Sequence, residues 1–419
     1  MRVSLWLAAA LLSGLVGTIA VAAEHTASAS ESSTADTPLS PAVTQLVSRV
    51  LEANPRVQAA RAAAQAADAR ARAAGQPLYN PEVEIDAEQA ESETASLGLR
   101  QAIDWADKRG ARGSVASQEQ TAAQAELRAV EQNIAGELLN GLAAYHTADA
   151  LNRLAQERAQ LMQRFLSLAE ARQRAGDLPQ IEFELARLAH TQAVLQQAQA
   201  AVQRTEAEQT LVAVVGELPA EVPTLPVRFP DIGTPDPQAL LAQLPELQAY
   251  QARSAAARAT VALRQREQRP DPTLSLRGGR EASDPLVGLS LSIPLYVRNT
   301  YRAETQAAGA ELLQAESAAQ DALRRAHARF IAAAQRYRTT QRAWAAWEGA
   351  GEPSLGSRTA LLERVWQAGE LSTADYLVQL NQVLETRASA LDLRGQLWRS
   401  WFEWLAASGR LGNPQHTAF

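Results

Sequence analysis

The chain has 419 residues, a formal charge of −6, no cysteine and only 5% aromatic residues. Without cysteine there can be no disulfide, no thiolate metal centre and no lipid attached to a cysteine. The mild acidity and the lack of a long basic run argue against nucleic acid as a partner. The bias toward Ala, Leu, Glu, Gln and Arg points to long or coiled helices rather than bulky compact cores.

The N-terminus reads MRVSLWLAAALLSGLVGTIAVAAEHT, with Arg2 ahead of an apolar run that closes on Val21, Ala22 and Ala23. That is the layout of a secretory signal peptide over residues 1–23, although the run is also long enough for an uncleaved anchor. The Ser/Thr/Ala-rich stretch over residues 24–40 is expected to be disordered. No later stretch has 18 consecutive apolar residues, so no further membrane-crossing helix is expected.

The rest of the chain repeats itself. Pro55 in ANPRVQA returns as Pro245 in LPELQA, and Gly98 in SLGLRQAIDW returns as Gly288 in LVGLSLSIPL, both 190 residues later. Gly176 in RQRAGDLPQIEFEL returns as Gly369 in VWQAGELSTADYL, and Gly216 returns as Gly409, both 193 later. Matched landmarks in one order at nearly constant spacing mark two copies of one unit. Repeat 1 covers 41–216, a Pro-rich linker covers 217–236, repeat 2 covers 237–410, and 411–419 is a C-terminal tail.

Each unit opens with a helix of about 30 residues (42–76 and 237–268), continues through two alternating segments, and ends in a helical hairpin (107–216 and 299–408). In the first long helix Leu127, Val130, Ile134, Leu138, Leu142 and Tyr145 step by three and four, which is one helical face. From 107 to 175 it would reach roughly 100 Å at about 1.5 Å per residue. Its counterpart meets EGAGEPSLG (348–356), where Gly and Pro should break it. Gly176 and Gly369 end the long helices, and Pro179 suits a first-turn position.

Four segments alternate with period two, in two pairs over about 82–105 and 273–295. Val83, Ile85, Leu97, Leu99, Leu274, Leu276, Val287, Leu289, Leu291, Ile293 and Leu295 form the apolar side. Glu82, Glu84, Asp86, Glu88, Arg100 and Arg277 fall on the other. A lone hairpin of this kind commonly covers a soluble core. Here the strands are about ten residues long, with Tyr79, Trp105 and Tyr296 at the ends nearest the helices, which matches a transmembrane barrel with an aromatic girdle. Lipid tolerates only a closed sheet, and four strands cannot close. Two, three or four copies would share a barrel of 8, 12 or 16 strands. The six charged residues then face the lumen, where an acidic lining would favour cations. Lys108, Arg109, Arg112, Arg298 and Arg302 lie just past the aromatic ends. Cations oppose the macrodipole at a helix start, so an anionic headgroup layer is the expected compensation, and membrane lipid the expected partner.

With NPRV and LPEL opening the units, YNPEV and RPDPTL before each first strand, AIDWADKRGAR and SIPLYVRNTYR after each second strand, and RQRAGDL and WQAGELS at the turns, the chain resembles the TolC-type outer-membrane efflux family over essentially its mature length. The strand exits look most like the cobalt–zinc–cadmium heavy-metal branch. The resemblance implies a homotrimer with a shared 12-stranded barrel in the outer membrane of a Gram-negative bacterium and a long α-helical tunnel in the periplasm. It implies tips that meet a periplasmic adaptor joined to an inner-membrane, proton-driven RND pump, and a passive duct with heavy-metal cations as cargo. The fold class is therefore mostly α with a small β part. Gly176, Asp177, Leu178, Gly369, Glu370 and Leu371 resemble the family's adaptor-docking turns. Asp177, Glu182, Glu370 and Asp375 are candidates to line a constriction where three chains converge. Pro179 stands where repeat 2 has Ser372, so the two tips are expected to differ in their adaptor contacts.

No enzyme constellation emerges, and no cofactor is implied. His25, His146, His190, His327 and His416 are scattered, whereas a metal site needs convergent ligands. GAGEPSLG lacks the Lys and the preceding strand of a phosphate loop. Trp398, Trp401 and Leu405 share a helical stripe suited to packing. Two other readings are a periplasmic adaptor, which would carry one hairpin between compact β domains, and an exported coiled-coil scaffold, which gives the alternating segments no reason to exist.

Overall fold

The computed structural model describes residues 39–89, 93–233, 236–351, 355 and 358–411. The signal peptide, most of the 24–40 stretch, the tail beyond Leu411, His25 and His416 lie outside the described residues.

Two prolines cut the first helix of each unit. α1 (Pro41–Ala53) is capped by Ser40, and α2 (Pro55–Ala74) starts one residue after Asn54. A residue before proline is pushed out of the helical region, and Asn54 sits at φ −67°, ψ 124° with its side chain accepting from Arg56 N at 2.9 Å. The same physics at Leu244, φ −65° and ψ 122°, separates α5 (Pro237–Leu241) from α6 (Pro245–Glu267). The expected single helices over 42–76 and 237–268 are therefore each two.

Between them lie β1 (Glu82–Gln89) and β2 (Glu93–Ala102), and later β3 (Thr273–Glu281) and β4 (Asp284–Ser292). They form one antiparallel sheet in the order β1-β2-β3-β4. The strands run further into the connecting turns than alternation alone suggested. Glu281 pairs with Asp284, so the β3–β4 turn is only Ala282-Ser283; residues 90–92 of the other turn lie outside the described residues.

α3 (Lys108–Ala175) is an uninterrupted helix of 68 residues, ended by Gly176 at φ 86°. α4 (Gln180–Val215) returns along it. α7 (Arg302–Ala346) runs into a wide π-type turn at Trp347–Gly351, and residues 352–354 and 356–357 of the expected break lie outside the described residues. α8 (Arg358–Gln367) ends near Gly369, φ 79°, and α9 (Thr373–Ala407) begins on the Ser372 cap.

α3 organises the packing along its length. Near the sheet it contacts α2 and α6. In its middle, Ile134, Leu138, Leu139 and Leu142 join Val43, Leu46, Val50, Tyr337, Leu397, Trp398, Trp401, Phe402 and Leu405 in the largest apolar cluster. At its far end, Met162, Phe165 and Ala169 meet Trp366, Tyr376 and Leu380. The linker is a strap over the main cluster. Its backbone carbonyls need donors, and side chains supply them: Trp398 Nε1 donates to Pro226 O at 2.8 Å and Tyr337 OH to Pro230 O at 2.6 Å, while His146 Nε2 lies 2.8 Å from Pro223 O. The helical Trp stripe thus packs inward. Among the described residues no helix is long and apolar enough to cross a membrane.

Candidate functional site: an open apolar sheet, its joint and the hairpin tips

The register sorts the sheet into two chemically different sides. One rung carries Val83, Leu99, Leu276 and Leu289, and the next two residues along carries Ile85, Leu97, Gly278 and Val287. Among the described residues nothing covers this side: exposure runs from 42% at Leu274 to 80% at Val287. Nine large aliphatics on one bare face exceed what a water-facing sheet normally shows. Both outer strands are also unpaired, which is an association hazard unless another chain completes them.

The opposite side carries Glu82, Glu84, Asp86 and Glu88 on β1, Arg100 on β2 and Arg277 on β3. Register adds Glu281 and Asp284 to it, on the loop-end rung that runs Glu88, Thr94, Glu281, Asp284. Arg100 reaches Glu84 at 2.6 Å and Glu82 at 3.9 Å, so two of the carboxylates are partly neutralised from within. Ser96 Oγ donates to Asp86 at 3.4 Å.

At the helix end of the sheet a polar joint forms. Lys108 Nζ and Asp271 Oδ2 are 2.9 Å apart, with side chains only 10% and 6% exposed, and Tyr79 OH donates to the same oxygen at 2.5 Å. Burial, followed by that hydrogen bond, pushes the Tyr79 phenol well above its ordinary value, so it stays a donor. Lys108 therefore faces inward and does not join the cationic belt expected from sequence. The unfavourable charges at the start of α3 find much of their compensation inside the chain. Asp104 accepts from Lys108 N at 2.7 Å and Arg109 N at 2.8 Å, and Asp107 accepts from Gly110 N at 3.1 Å. Arg109, Arg298 and Arg302 are exposed and Arg112 half-buried, and none has an ion-pair partner among the described residues. Trp105 is exposed beside them, and Tyr296 packs edge-on to Tyr301 with ring centres 4.9 Å apart.

At the other end, both tips turn on glycine. Gly176 N donates to Gln173 O and Asp177 N to Arg172 O, while Gly369 N donates to Trp366 O and Glu370 N to Val365 O. These are αL helix endings, for which glycine is the usual residue. Leu178 is buried in the tip cluster and Leu371 is partly buried against it. Glu182 accepts from Thr373 Oγ1 at 2.5 Å, tying α4 to α9, and Asp375 accepts from Ser372 Oγ at 2.7 Å within the α9 cap. Asp177 and Glu370 remain exposed. Of the candidate acids, then, Asp177, Glu370 and Asp375 are exposed and Glu182 is half-buried, while the two glycines and the two leucines build the turns.

α4 carries a feature that the sequence reading missed. Ile181, Leu188, Leu195 and Val202 recur every seven residues and are 57% to 68% exposed, while Ala186, Ala193 and Leu211 are buried. One exposed apolar residue per heptad makes a single row that another helix could cover, and a count at a spacing of seven would have found it.

Residues 46–217 match the family model described as outer membrane efflux protein. No curated protein matches the sequence. Among solved structures the fold is similar to CusC, whose structures concern folding and transmembrane channel formation. That match has 17% identity and a TM-score of 0.73, covering 87% of this chain and 91% of that one. It is also similar to the outer membrane protein VceC from Vibrio cholerae, at 20% identity and TM-score 0.72, covering 88% and 96%. The outer membrane channel CmeC from Campylobacter jejuni matches at 14% identity and TM-score 0.76, covering 88% and 86%.

Proposed function

We propose that this chain, whose residues 46–217 belong to the outer membrane efflux protein family, is one copy of a trimeric duct that carries solutes across the periplasm and outer membrane. The observation that carries this reading is the bare apolar side of a four-stranded sheet with two free edges. Lipid is the solvent that such a side suits, and closure is what lipid requires. Four strands per copy alternate in direction, so β4 of one copy lies antiparallel to β1 of the next, and three copies close 12 strands. The exposed apolar row on α4 supports an assembled helical tunnel. The duplicated unit, read from the sequence, is supported by the matching proline breaks at Pro55 and Pro245 and the matching glycine turns at Gly176 and Gly369.

Heavy-metal cations are the proposed cargo class. The resemblance of the strand exits points that way, and the polar side of the sheet sets six carboxylates against Arg100 and Arg277. The exported adaptor and the coiled-coil scaffold are weaker readings, because neither gives the exposed aliphatic side a solvent.

The belt of Arg109, Arg112, Arg298 and Arg302 is proposed to meet anionic headgroups, at about 1 kcal/mol per cation. Exchanging all four for Glu should lower the trimer content of the membrane several-fold; an unchanged content assigns these arginines to another surface. At the tips, Asp177 and Glu370 are the proposed adaptor contacts. Changing Leu178 to Asp would bury a charge in the tip cluster and collapse the turn, so it cannot report on docking. Asp177→Lys with Glu370→Lys is the cleaner exchange. It should leave trimers intact while a strain that depends on this chain loses its resistance to heavy-metal salts; resistance kept at the parental level places docking elsewhere.

A further inference from the structure

We propose that Asp271 sets the tilt of the four-stranded sheet on the helices and so aims its free edges, β1 and β4, at neighbouring copies. The proposal rests on the shared-sheet reading above. Asp271 stands between Pro270 and Pro272, whose rings fix their own backbone angles and stiffen the approach to β3. Its Oδ2 takes both the Lys108 ammonium and the Tyr79 hydroxyl, from 163 and 192 residues away in the chain. Tyr79 lies on the approach to β1, Lys108 opens α3 after β2, and Asp271 lies on the approach to β3. One carboxylate therefore gathers three of the four segments through which the sheet hands over to helix. Adjacent bonds tighten the same joint: Ile103 N donates to Pro272 O at 2.8 Å, and Arg266 reaches Asp107 Oδ2 at 2.5 Å.

The physical argument is about geometry rather than stability. A buried ion pair adds little net stability over an apolar pair of the same volume, and its best-attested use is to select one arrangement among several. Apolar contacts tolerate a range of sheet angles. Two donors converging on one buried oxygen do not, since hydrogen bonds weaken steeply off line. Asp271 Oδ1 is buried with no partner, which leaves Oδ2 as the one anchored point.

The test compares Asp271→Leu, Lys108→Met and the double variant in the full-length chain, scoring helicity by circular dichroism and the yield of detergent-resistant trimers from membranes. Each single variant leaves an unpaired buried charge or a bare lysine site and should lower trimer yield about tenfold or more. The double variant removes both charges. It should keep parental helicity yet remain about tenfold low in trimers, because the aim of the edges is lost. Trimer yield restored to the parental level in the double variant overturns the proposal and leaves only a penalty for an unpaired charge. A matching loss of helicity overturns it too, by making Asp271 a general core residue. A parental chain that forms no trimers contradicts the shared-sheet reading itself.

Discussion

Arginine at both Leu276 and Leu289 should remove the protein from the outer membrane. These residues face each other across β3 and β4 on the middle apolar rung, and both are largely exposed. A cation on the lipid side of a barrel near mid-bilayer costs about 2–4 kcal/mol, and three copies would carry two each. The total, about 12–24 kcal/mol, is as large as or larger than the whole stability of an ordinary domain, about 5–15 kcal/mol. Ser275 and Ser290 form the neighbouring rung on the opposite side. Arginines there would face water in the lumen, and that variant should fractionate normally. Membrane fractionation with heat-modified gel mobility reads both variants. Normal insertion of the Leu276/Leu289 variant would show that lipid does not wet this side.

The second large effect belongs to α4. Glutamate at Leu188 and Leu195 should convert trimers to folded monomers. The two side chains touch little within their own chain, so helicity should hardly change. The loss falls on association: two buried aliphatics per copy, at about 1.5–3 kcal/mol each, with charge repulsion added where three seams repeat. Light scattering of the detergent-solubilised protein gives the mass. A trimer of parental mass would mean that the stripe faces adaptor, lumen or solvent rather than another copy.

Much of the architecture is legible locally. Period-two alternation marks the strands because a sheet side has that period. The glycines at 176 and 369 mark the tips because a left-handed turn favours them. The long face through Ile134, Leu138 and Leu142 marks α3 because burial needs a 3.6-residue step. The misreadings share a different cause. Pro55 and Pro245 fall inside stretches whose composition reads as one continuous helix, 42–76 and 237–268, but the residue ahead of each is pushed out of the helical region, so they start new helices. Lys108 looks like one more cation in a belt because its partner, Asp271, is 163 residues distant. Leu178 looks presented because the tip is a turn, yet the turn folds it back onto Phe165, Trp366 and their neighbours. Local pattern reports which side of an element is apolar; it does not report which distant group meets it.

Because the chain lacks cysteine, pairs of cysteines can be introduced without background. The most direct test places one in β1 at Ile85 and one in turn at Val287, Leu289 or Leu291 in β4, in otherwise unaltered protein assembled in its own outer membrane. β1 and β4 are the two outer strands of one sheet and cannot meet within a chain. Oxidation should therefore link chain to chain for at least one pair and give covalent ladders ending at three copies. Chains that stay single for every pair would contradict the closure of these strands into a common barrel.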